Sequence, residues 1–191
     1  MASEALTPRD RQDAYDLLVS LGAPERLILH ARLVGEAADA LLAALRPLGL
    51  EVREDLVRLG AALHDAGKIL HPHELDAPGN DHEPGGESLL LKAGVSPEIA
   101  RFCVSHARFA AMPVSFEELL VALADHLWKG KRAEALELRV IDAASSLSGK
   151  DRWEIFTGLD ECFEAIAVQG DERLARSRFG PDRRSDQAGR P

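Results

Sequence analysis

Apolar residues recur at the spacing of an α-helix through most of this chain, and the alternating patterns typical of strands are nearly absent. Between residues 26 and 45, for example, Val34, Ala38, Leu41 and Leu45 fall on one helical face. The pattern therefore predicts an all-α, single-domain helical bundle. The predicted helices cover residues 7 to about 21, 26–45, 51 to about 65, 87–93, 96 to about 108, 115–129, 133–147 and 151 to about 175.

Local signals define several helix ends. Thr7 followed by a proline predicts a helix cap with proline in the first turn, and Ser115 three residues before Glu118 predicts a capping box. Gly67 is expected to end a helix in the left-handed conformation that glycine tolerates. Residues 67–86 are rich in proline, glycine and histidine, and a long irregular segment in a compact domain is usually functional or disordered. We expect a site-forming loop there.

The length of 191 residues fits one domain with additional terminal segments. We predict an N-terminal helix and its connection over residues 1–25, and the main helical domain over residues 26–178. Residues 179–191 are polar and lack an apolar period, so we expect a disordered tail without chemistry of its own.

Composition and charge narrow the classes of function. With 46% hydrophobic and 29% charged residues, the chain has the composition of an ordinary globular protein. Its net charge of −9 argues against binding to long nucleic-acid backbones, which requires a basic face. A small phosphorylated substrate remains compatible with this charge, because a local metal site can outweigh the global sign.

The cysteine count and the apolar runs bear on cellular location. The two cysteines, Cys103 and Cys162, are too few for a disulfide framework and fit a reducing cytosol. No apolar run approaches the length of a membrane span, and the N-terminus lacks the pattern of a signal peptide. We therefore expect a cytoplasmic protein without a membrane partner.

The most informative residues are histidines and aspartates placed where helices should face the core. His64 and Asp65 close an apolar helical run and together offer a divalent metal two ligands. His30 lies in the register of an apolar stripe, and His106 and Asp125 each follow an apolar run. A buried carboxylate without a partner is costly, so such a residue requires a cation. One metal centre would explain these residues together, whereas an isolated histidine is more often a hydrogen-bonded core residue.

This pattern resembles the HD-domain metal-dependent phosphohydrolase superfamily, whose signature H…HD…D is spread over a helical bundle. Residues 64–68, His-Asp-Ala-Gly-Lys, are similar to the HD-x-G-K variant of the motif. His82 and His106 match two additional histidines of the subclass that binds two metals. The chain departs from one cyclic-dinucleotide branch, because Pro84-Gly85-Gly86 stands where that branch has Gly-Tyr-Pro. The resemblance covers residues 27 to about 131.

The resemblance implies an HD-type helical domain with its site in the bundle core. It also implies one or two divalent transition-metal ions, and imidazole ligands favour Fe, Mn, Co, Ni or Zn over Mg or Ca. Asp65 would bridge two ions, and a metal-bound hydroxide would attack a small phosphate ester, with a nucleotide or nucleotide derivative as the leading substrate. The implied metal ligands are His30, His64, Asp65, His82, His106 and Asp125.

Basic residues in two places are candidates for contact with the phosphate. Lys68 would neutralise charge that develops on the phosphoryl oxygens, which makes it a predicted catalytic residue beside Asp65. Its alternative role is to complement the dipole of a helix end. Lys129, Lys131 and Arg132 could hold a distal phosphate or nucleotide, and the alternative is that they form a solvated helix end.

Three functions remain open on these residues. The leading one is phosphoester hydrolysis, which the complete ligand set and Lys68 favour. The second is a metal- or nucleotide-binding signalling module of the same fold without turnover, and the third is a structural bundle with polar core histidines. Trp128 is a candidate for stacking on a base. A homo-oligomer is compatible with each of these functions. The remaining histidines stay outside the predicted ligand set: His71, His73 and His126.

Overall fold

The computed structural model describes residues 7–179, which form α-helices and short 3-10 turns with no strand among them. The prediction of an all-α fold is confirmed. None of the helices in this part of the chain has the length and apolar character needed to cross a membrane. The predicted tail lies outside the described residues except for its first residue, Phe179, which ends the last helix. The α-helices are α1 (Arg11–Ser20), α2 (Glu25–Leu45), α3 (Glu54–Leu63), α4 (His82–Lys92), α5 (Pro97–Ala100), α6 (Phe102–Arg108), α7 (Phe116–Leu127), α8 (Glu134–Ser148), α9 (Arg152–Val168) and α10 (Gly170–Phe179), and the 3-10 turns are Arg46–Leu48, Ala66–Ile69 and Pro72–Leu75.

The centre of the core is α2, which contacts α3, α7 and α9. Apolar residues cover all sides of α7 from Leu119 to Ala124, and each of these side chains is buried. Between α3 and α6 the backbone of Gly60 is approached by the ring of Phe102, where a Cβ atom would lie 2.5 Å from a ring carbon. Close packing of this kind brings the polar residues of α2, α3, α6 and α7 into one interior region.

The N-terminal helix shares this core. Ala14, Tyr15 and Leu18 of α1 are buried in the same hydrophobic cluster as α2 and α3. The predicted boundary at residue 25 lies at the first residue of α2, and α1 and α2 share one hydrophobic core. The division into domains stays a prediction.

Two helix starts show which capping signals matter. α1 begins after Asp10, whose carboxylate accepts the N–H of Asp13 at 2.9 Å, so the cap predicted at Thr7 is wrong. The capping box before α7 is confirmed, because Ser115 Oγ accepts the N–H of Glu118 at 3.2 Å and the Glu118 carboxylate accepts the N–H of Ser115 at 2.7 Å. A side chain three residues before a backbone donor satisfies an otherwise unpaired N–H in both helices.

Two long predicted helices are interrupted. The segment from 96 to about 108 forms α5 and α6, and the segment from 151 to about 175 forms α9 and α10. At the second break, Gly170 lies so close to Gly130 that a Cβ atom would collide with its backbone nitrogen. The start of α10 is therefore packed against the connection that follows α7.

Gly67 is needed for a different reason from the one predicted. It lacks the positive φ of a left-handed helix end, and α3 ends earlier, at Leu63. A Cβ atom on Gly67 would collide with the carbonyl oxygen of His82 and would lie 2.6 Å from the backbone nitrogen of Gly86. The missing side chain allows α4 to lie directly against the 3-10 turn Ala66–Ile69.

The segment 67–86 is partly helical and not a continuous loop. It contains most of the turn Ala66–Ile69 and all of the turn Pro72–Leu75, and α4 begins at His82 instead of near residue 87. Pro84 is tolerated in the first turn of α4, because N–H groups there have no intrahelical acceptor. His82 is therefore presented by the rigid start of a helix.

Candidate metal centre

Residues from five helical elements meet inside the bundle. His30 lies on α2, His64 and Asp65 follow the last residue of α3, and His82 begins α4. The remaining two residues are His106 on α6 and Asp125 on α7. The structure therefore brings all six predicted ligand residues together, although they are spread over about half of the chain.

One group of ligand atoms surrounds the Oδ2 atom of Asp65. The Nε2 atom of His30 lies 2.9 Å from this oxygen and 3.3 Å from the Nε2 atom of His64. The Oδ1 atom of Asp125 lies 3.7 Å from both of these nitrogens. These two imidazoles and two carboxylates form a compact set that could hold one divalent ion.

A second group surrounds the other oxygen of Asp65. The Nε2 atom of His82 lies 3.2 Å from Oδ1, and the Nε2 atom of His106 lies 3.8 Å from it. The ligand atoms of Asp65, His82 and His106 lie close enough together to share an ion. Asp65 thus stands between two groups and presents one oxygen to each.

Backbone carbonyls determine which ring nitrogen is available in two of the histidines. His64 Nδ1 lies 2.9 Å from the carbonyl oxygen of Ala61, and His106 Nδ1 lies 3.0 Å from that of Phe102. A carbonyl oxygen only accepts hydrogen bonds, so each Nδ1 carries the hydrogen. In its neutral form each ring then has its lone pair on Nε2, the nitrogen on the side of Asp65, which is the arrangement that metal-binding histidines adopt.

One carboxylate oxygen of the centre is buried without a partner. The Asp65 side chain is only 4% exposed, and its Oδ1 atom is buried without a hydrogen-bond partner. An unpaired buried carboxylate oxygen is costly, and bound cations are one of the few ways to compensate it. The residues present therefore fit a divalent metal ion.

The pKa shifts of the aspartates and of two histidines agree with the need for a cation. Burial would raise the pKa of Asp65 and Asp125, but the surrounding histidines, and Lys129 in the case of Asp125, hold both values well below the ordinary one. Burial would lower the pKa of His64 and His82, but neighbouring carboxylates outweigh it and raise both values. The two carboxylates thus stay ionised and attract positive charge.

The other two histidines remain neutral. Burial lowers the pKa of His30 despite the nearby Asp65. Burial and the charge of His64 lower the pKa of His106 to about 4. Neutral imidazoles are the form that binds metal ions, so these two rings need no deprotonation at neutral pH.

Comparison with known proteins identifies the family. Residues 27–149 match the family model of the HD domain. The chain belongs to the HD-domain family. This match covers α2 to α8, which include every element that contributes to the centre.

Two proteins of known sequence are similar to this HD-domain chain. An uncharacterized protein of Methanocaldococcus jannaschii is 31% identical over 139 residues, which cover 64% of this chain and 78% of the relative. A tRNA (cytidine(56)-2'-O)-methyltransferase of Thermoplasma volcanium is 27% identical over 148 residues, which cover 70% of this chain and only 40% of the methyltransferase. No solved structure matched the chain.

The HD-domain centre opens toward solvent on one side. The side chains of His30, Asp125 and Lys68 are 13%, 18% and 17% exposed, whereas His64 is fully buried. Lys68 Nζ lies 2.6 Å from Asp65 Oδ2, and Lys129 Nζ lies 3.3 Å from Asp125 Oδ2. Each carboxylate of the centre is therefore paired with a lysine at the open side.

The three basic residues proposed to hold a distal phosphate lie in different surroundings: Lys129, Lys131 and Arg132. Only Lys129 contacts the centre, and Lys131 is exposed. The guanidinium of Arg132 binds carboxylates of α8 and α9 instead, at 2.7 Å from Glu137 and from Glu164 and at 2.5 Å from a third, Asp160. These ion pairs neutralise its charge and leave no reason to assign it to a phosphate.

Trp128 has a different role from base stacking. Its side chain is buried, its Nε1 donates to Asp125 Oδ1 at 3.2 Å, and its ring meets the edge of His30 with centroids 4.9 Å apart. It therefore supports two residues of the centre. Cys103 is buried with a raised pKa and its Sγ faces the carbonyl of Leu63, so a nucleophilic role is excluded by its environment.

Sequence patterns did not reveal Glu74, which contacts His82 from the side opposite the centre. Its side chain is buried on the turn Pro72–Leu75. The only available signal was a carboxylate within a histidine-rich segment, and this does not indicate a partner eight residues away. His71 precedes this turn, His73 lies within it, and His126 contacts Phe109, so these three histidines are not part of the two ligand groups described above.

Proposed function

We propose that this HD domain catalyses the metal-dependent hydrolysis of a small phosphate ester, with a nucleotide or nucleotide derivative as substrate. The observation that carries the proposal is the position of Asp65, which presents one oxygen to each of two groups of histidines. Two groups on either side of one carboxylate are the arrangement that a pair of divalent ions requires. A structural bundle has no use for this concentration of ionisable groups in its core.

The chain's own residues would divide the work of such a site. His30, His64, Asp65 and Asp125 would hold one ion, and the second would be held by Asp65 with two further histidines, His82 and His106. Divalent transition-metal ions bound there would supply an activated water and polarise the phosphoryl oxygens. The closed side of the bundle excludes bulk water, so substrate would enter beside His30 and Asp125.

The two lysines at the open side would bind the substrate phosphate. Lys68 and Lys129 are paired with Asp65 and Asp125 in this structure, and a divalent ion would take over the neutralisation of both carboxylates. Each lysine would then be available to a phosphate oxygen, where a fixed positive charge stabilises the charge that develops during hydrolysis. Lys131, exposed beyond Lys129, is proposed as a contact for a more distal phosphate.

A nucleotide is proposed over a larger nucleic acid on grounds of charge. One similar protein is by its printed name a tRNA methyltransferase, but this chain spans 40% of that protein. The net charge of −9 disfavours contact with a long phosphate backbone. A small substrate needs only the local positive charge of the metal centre and its lysines.

A turnover panel tests the proposal. The purified protein is reconstituted separately with Mn, Fe, Co and Ni and is offered nucleotides, phosphomonoesters and phosphodiesters. We expect hydrolysis of at least one nucleotide class, with loss of activity on chelation. Bound metal without any turnover would favour the signalling module, and a protein that binds no metal would contradict metal-dependent hydrolysis.

A further inference from the structure

Glu74 is a buried carboxylate beside the centre that the proposed reaction does not use. Its side chain is 1% exposed. Its Oε1 accepts the backbone N–H of Asp81 at 3.1 Å, and its Oε2 accepts that of His82 at 3.2 Å. The same Oε2 contacts His82 Nδ1. One carboxylate thus caps the start of α4 and binds the imidazole of its first residue.

This contact determines the orientation of His82. A carboxylate oxygen only accepts hydrogen bonds, so Nδ1 of His82 donates to Glu74, and in the neutral ring the lone pair lies on Nε2. That Nε2 lies 3.2 Å from Asp65 Oδ1, on the side of the second ligand group. The imidazole is therefore held between two carboxylates, one of which belongs to the centre.

Glu74 gives His82 a stronger hydrogen-bond partner than His64 and His106 have. The Nδ1 atoms of His64 and His106 face neutral backbone carbonyls. A hydrogen bond to a carboxylate is charge-assisted and makes the opposite ring nitrogen a better metal ligand. His82 is also less enclosed than His64, so its ring has a greater need of an external constraint.

The connection around Glu74 holds the carboxylate in place. A Cβ atom on Gly79 would lie 2.5 Å from Glu74 Oε1, so the chain can close over the carboxylate only because residue 79 is a glycine. The segment between the turn Pro72–Leu75 and α4 is thus shaped around this side chain.

We propose that Glu74 is a positioning residue that fixes His82 and thereby determines the affinity of the second ligand group, formed by Asp65, His82 and His106, for its ion. This inference rests on the metal centre of the proposed function, but it is independent of whether the site hydrolyses a substrate.

A competing role for Glu74 is direct metal binding. Ligand atoms of His71, Glu74 and Asp81 lie close enough together to share an ion. Both oxygens of Glu74 are already hydrogen-bonded to the start of α4, however, and Asp81 is exposed. The geometry therefore favours a carboxylate that acts through His82.

Metal titration of the full chain tests the proposal. Metal-free protein is titrated with Mn²⁺ and with Co²⁺ in a calorimeter, and bound ions are counted by elemental analysis after gel filtration. We expect two ions per chain in the unmodified protein. Glu74→Gln and Glu74→Ala should weaken binding of the second ion by about 10–100-fold and leave the first ion bound as before. Retention of the first ion shows that each variant is folded.

Matched variants distinguish positioning of His82 by Glu74 from direct metal binding by Glu74. Glu83→Gln removes a different buried carboxylate, which lies on α4 and pairs with Arg108 and not with the centre, and should leave both affinities unchanged. His71→Ala and Asp81→Ala should also have no effect. The proposal is overturned if the unmodified protein binds one ion only, if the Glu74 variants bind both ions normally, or if His71→Ala reproduces their defect. Two bound ions without turnover would refute the proposed reaction and leave the role of Glu74 intact.

Discussion

Asp65 is the single residue on which the candidate centre depends most. Its two oxygens face different histidine groups, and Lys68 balances one of them at 2.6 Å. The other oxygen has no hydrogen-bond partner. The second carboxylate of the centre, Asp125, contacts only two of the ligand histidines, His30 and His64, and both belong to the first group.

Replacement of Asp65 should remove both metal and activity. In Asp65→Ala the shared ligand of the two groups is lost, and two cations would be left with too little negative charge. We expect little metal to remain after gel filtration and no phosphoester turnover. Asp55→Ala, at an exposed position of α3, is the control. Normal metal content and a normal rate in Asp65→Ala would contradict the assignment.

Replacement of Lys68 tests catalysis separately from metal binding. The lysine contacts Asp65, but as a cation it is not a metal ligand, so Lys68→Ala should retain metal. Loss of one pre-positioned electrostatic donor should reduce kcat by about 10²–10³, or roughly 3–4 kcal/mol of barrier. A lysine that only complements a helix end would cost about 0.3–1 kcal/mol of stability with unchanged turnover.

Three measurements on this variant decide between the roles: melting temperature, metal content and kcat. Because Lys68 neutralises Asp65 in the structure, its loss should lower the melting temperature of the metal-free protein more than that of the metal-loaded protein. Lys92→Ala, at an exposed position near the end of α4, is the matched control. A melting-temperature drop with an unaltered rate would remove Lys68 from the mechanism.

At the level of elements, the contact between α4 and the turn Ala66–Ile69 holds two ligands of the second group together. Gly67 and Gly86 allow the two backbones to approach each other directly. The turn follows Asp65 immediately, and α4 begins with His82. The separation between these two ligands is therefore controlled by backbone packing between their elements.

Gly67→Ala should disturb this contact. The added methyl group would collide with the His82 carbonyl, and relief requires α4 to move away from Asp65. We expect a destabilisation of about 1–3 kcal/mol by chemical denaturation, together with weaker binding of the second ion.

Gly158→Ala is the control, because an added methyl group at this glycine meets no other atom. Gly158 lies within α9 with no atom near the position of an added Cβ, and alanine there should stabilise the protein by about 0.5–1 kcal/mol. If Gly67→Ala were as stable as Gly158→Ala and bound both ions, the close approach would not be what positions His82.

At the scale of the whole molecule, metal binding should be linked to pH. The pKa values of His64 and His82 are raised above the ordinary 6.5, whereas those of His30 and His106 are lowered. His64 and His82 therefore keep a second ring proton to higher pH than an ordinary imidazole, and a metal ion must displace any such proton.

Affinity for the metal should therefore rise as pH increases above the ordinary histidine pKa of 6.5, and the protons released on binding should come from His64 and His82 and not from His30 or His106. Calorimetry in buffers of different ionisation enthalpy counts the protons, and the same titration at several pH values gives the affinity. Binding that releases no protons and does not vary with pH would contradict the raised pKa values of His64 and His82.

Local sequence patterns predicted much of this molecule. Helical periodicity defined the all-α class, because burial of one face requires apolar residues at that spacing. The residue types of His30, His64-Asp65 and Asp125 indicated a metal centre before any geometry was known, since buried ionisable groups require compensation. The Ser115–Glu118 box was also predictable, because all of its atoms lie within one helical turn.

Only the tertiary structure decided the features that depend on distant partners. The role of Gly67 depends on a helix that begins fifteen residues later, and Arg132 is neutralised by two carboxylates of α9 as well as one of α8. Glu74 and Trp128 acquire their roles from the side chains they contact, His82 and His30. Periodicity and residue type describe an element by itself, whereas charge pairing and close backbone approach are determined by how elements pack together.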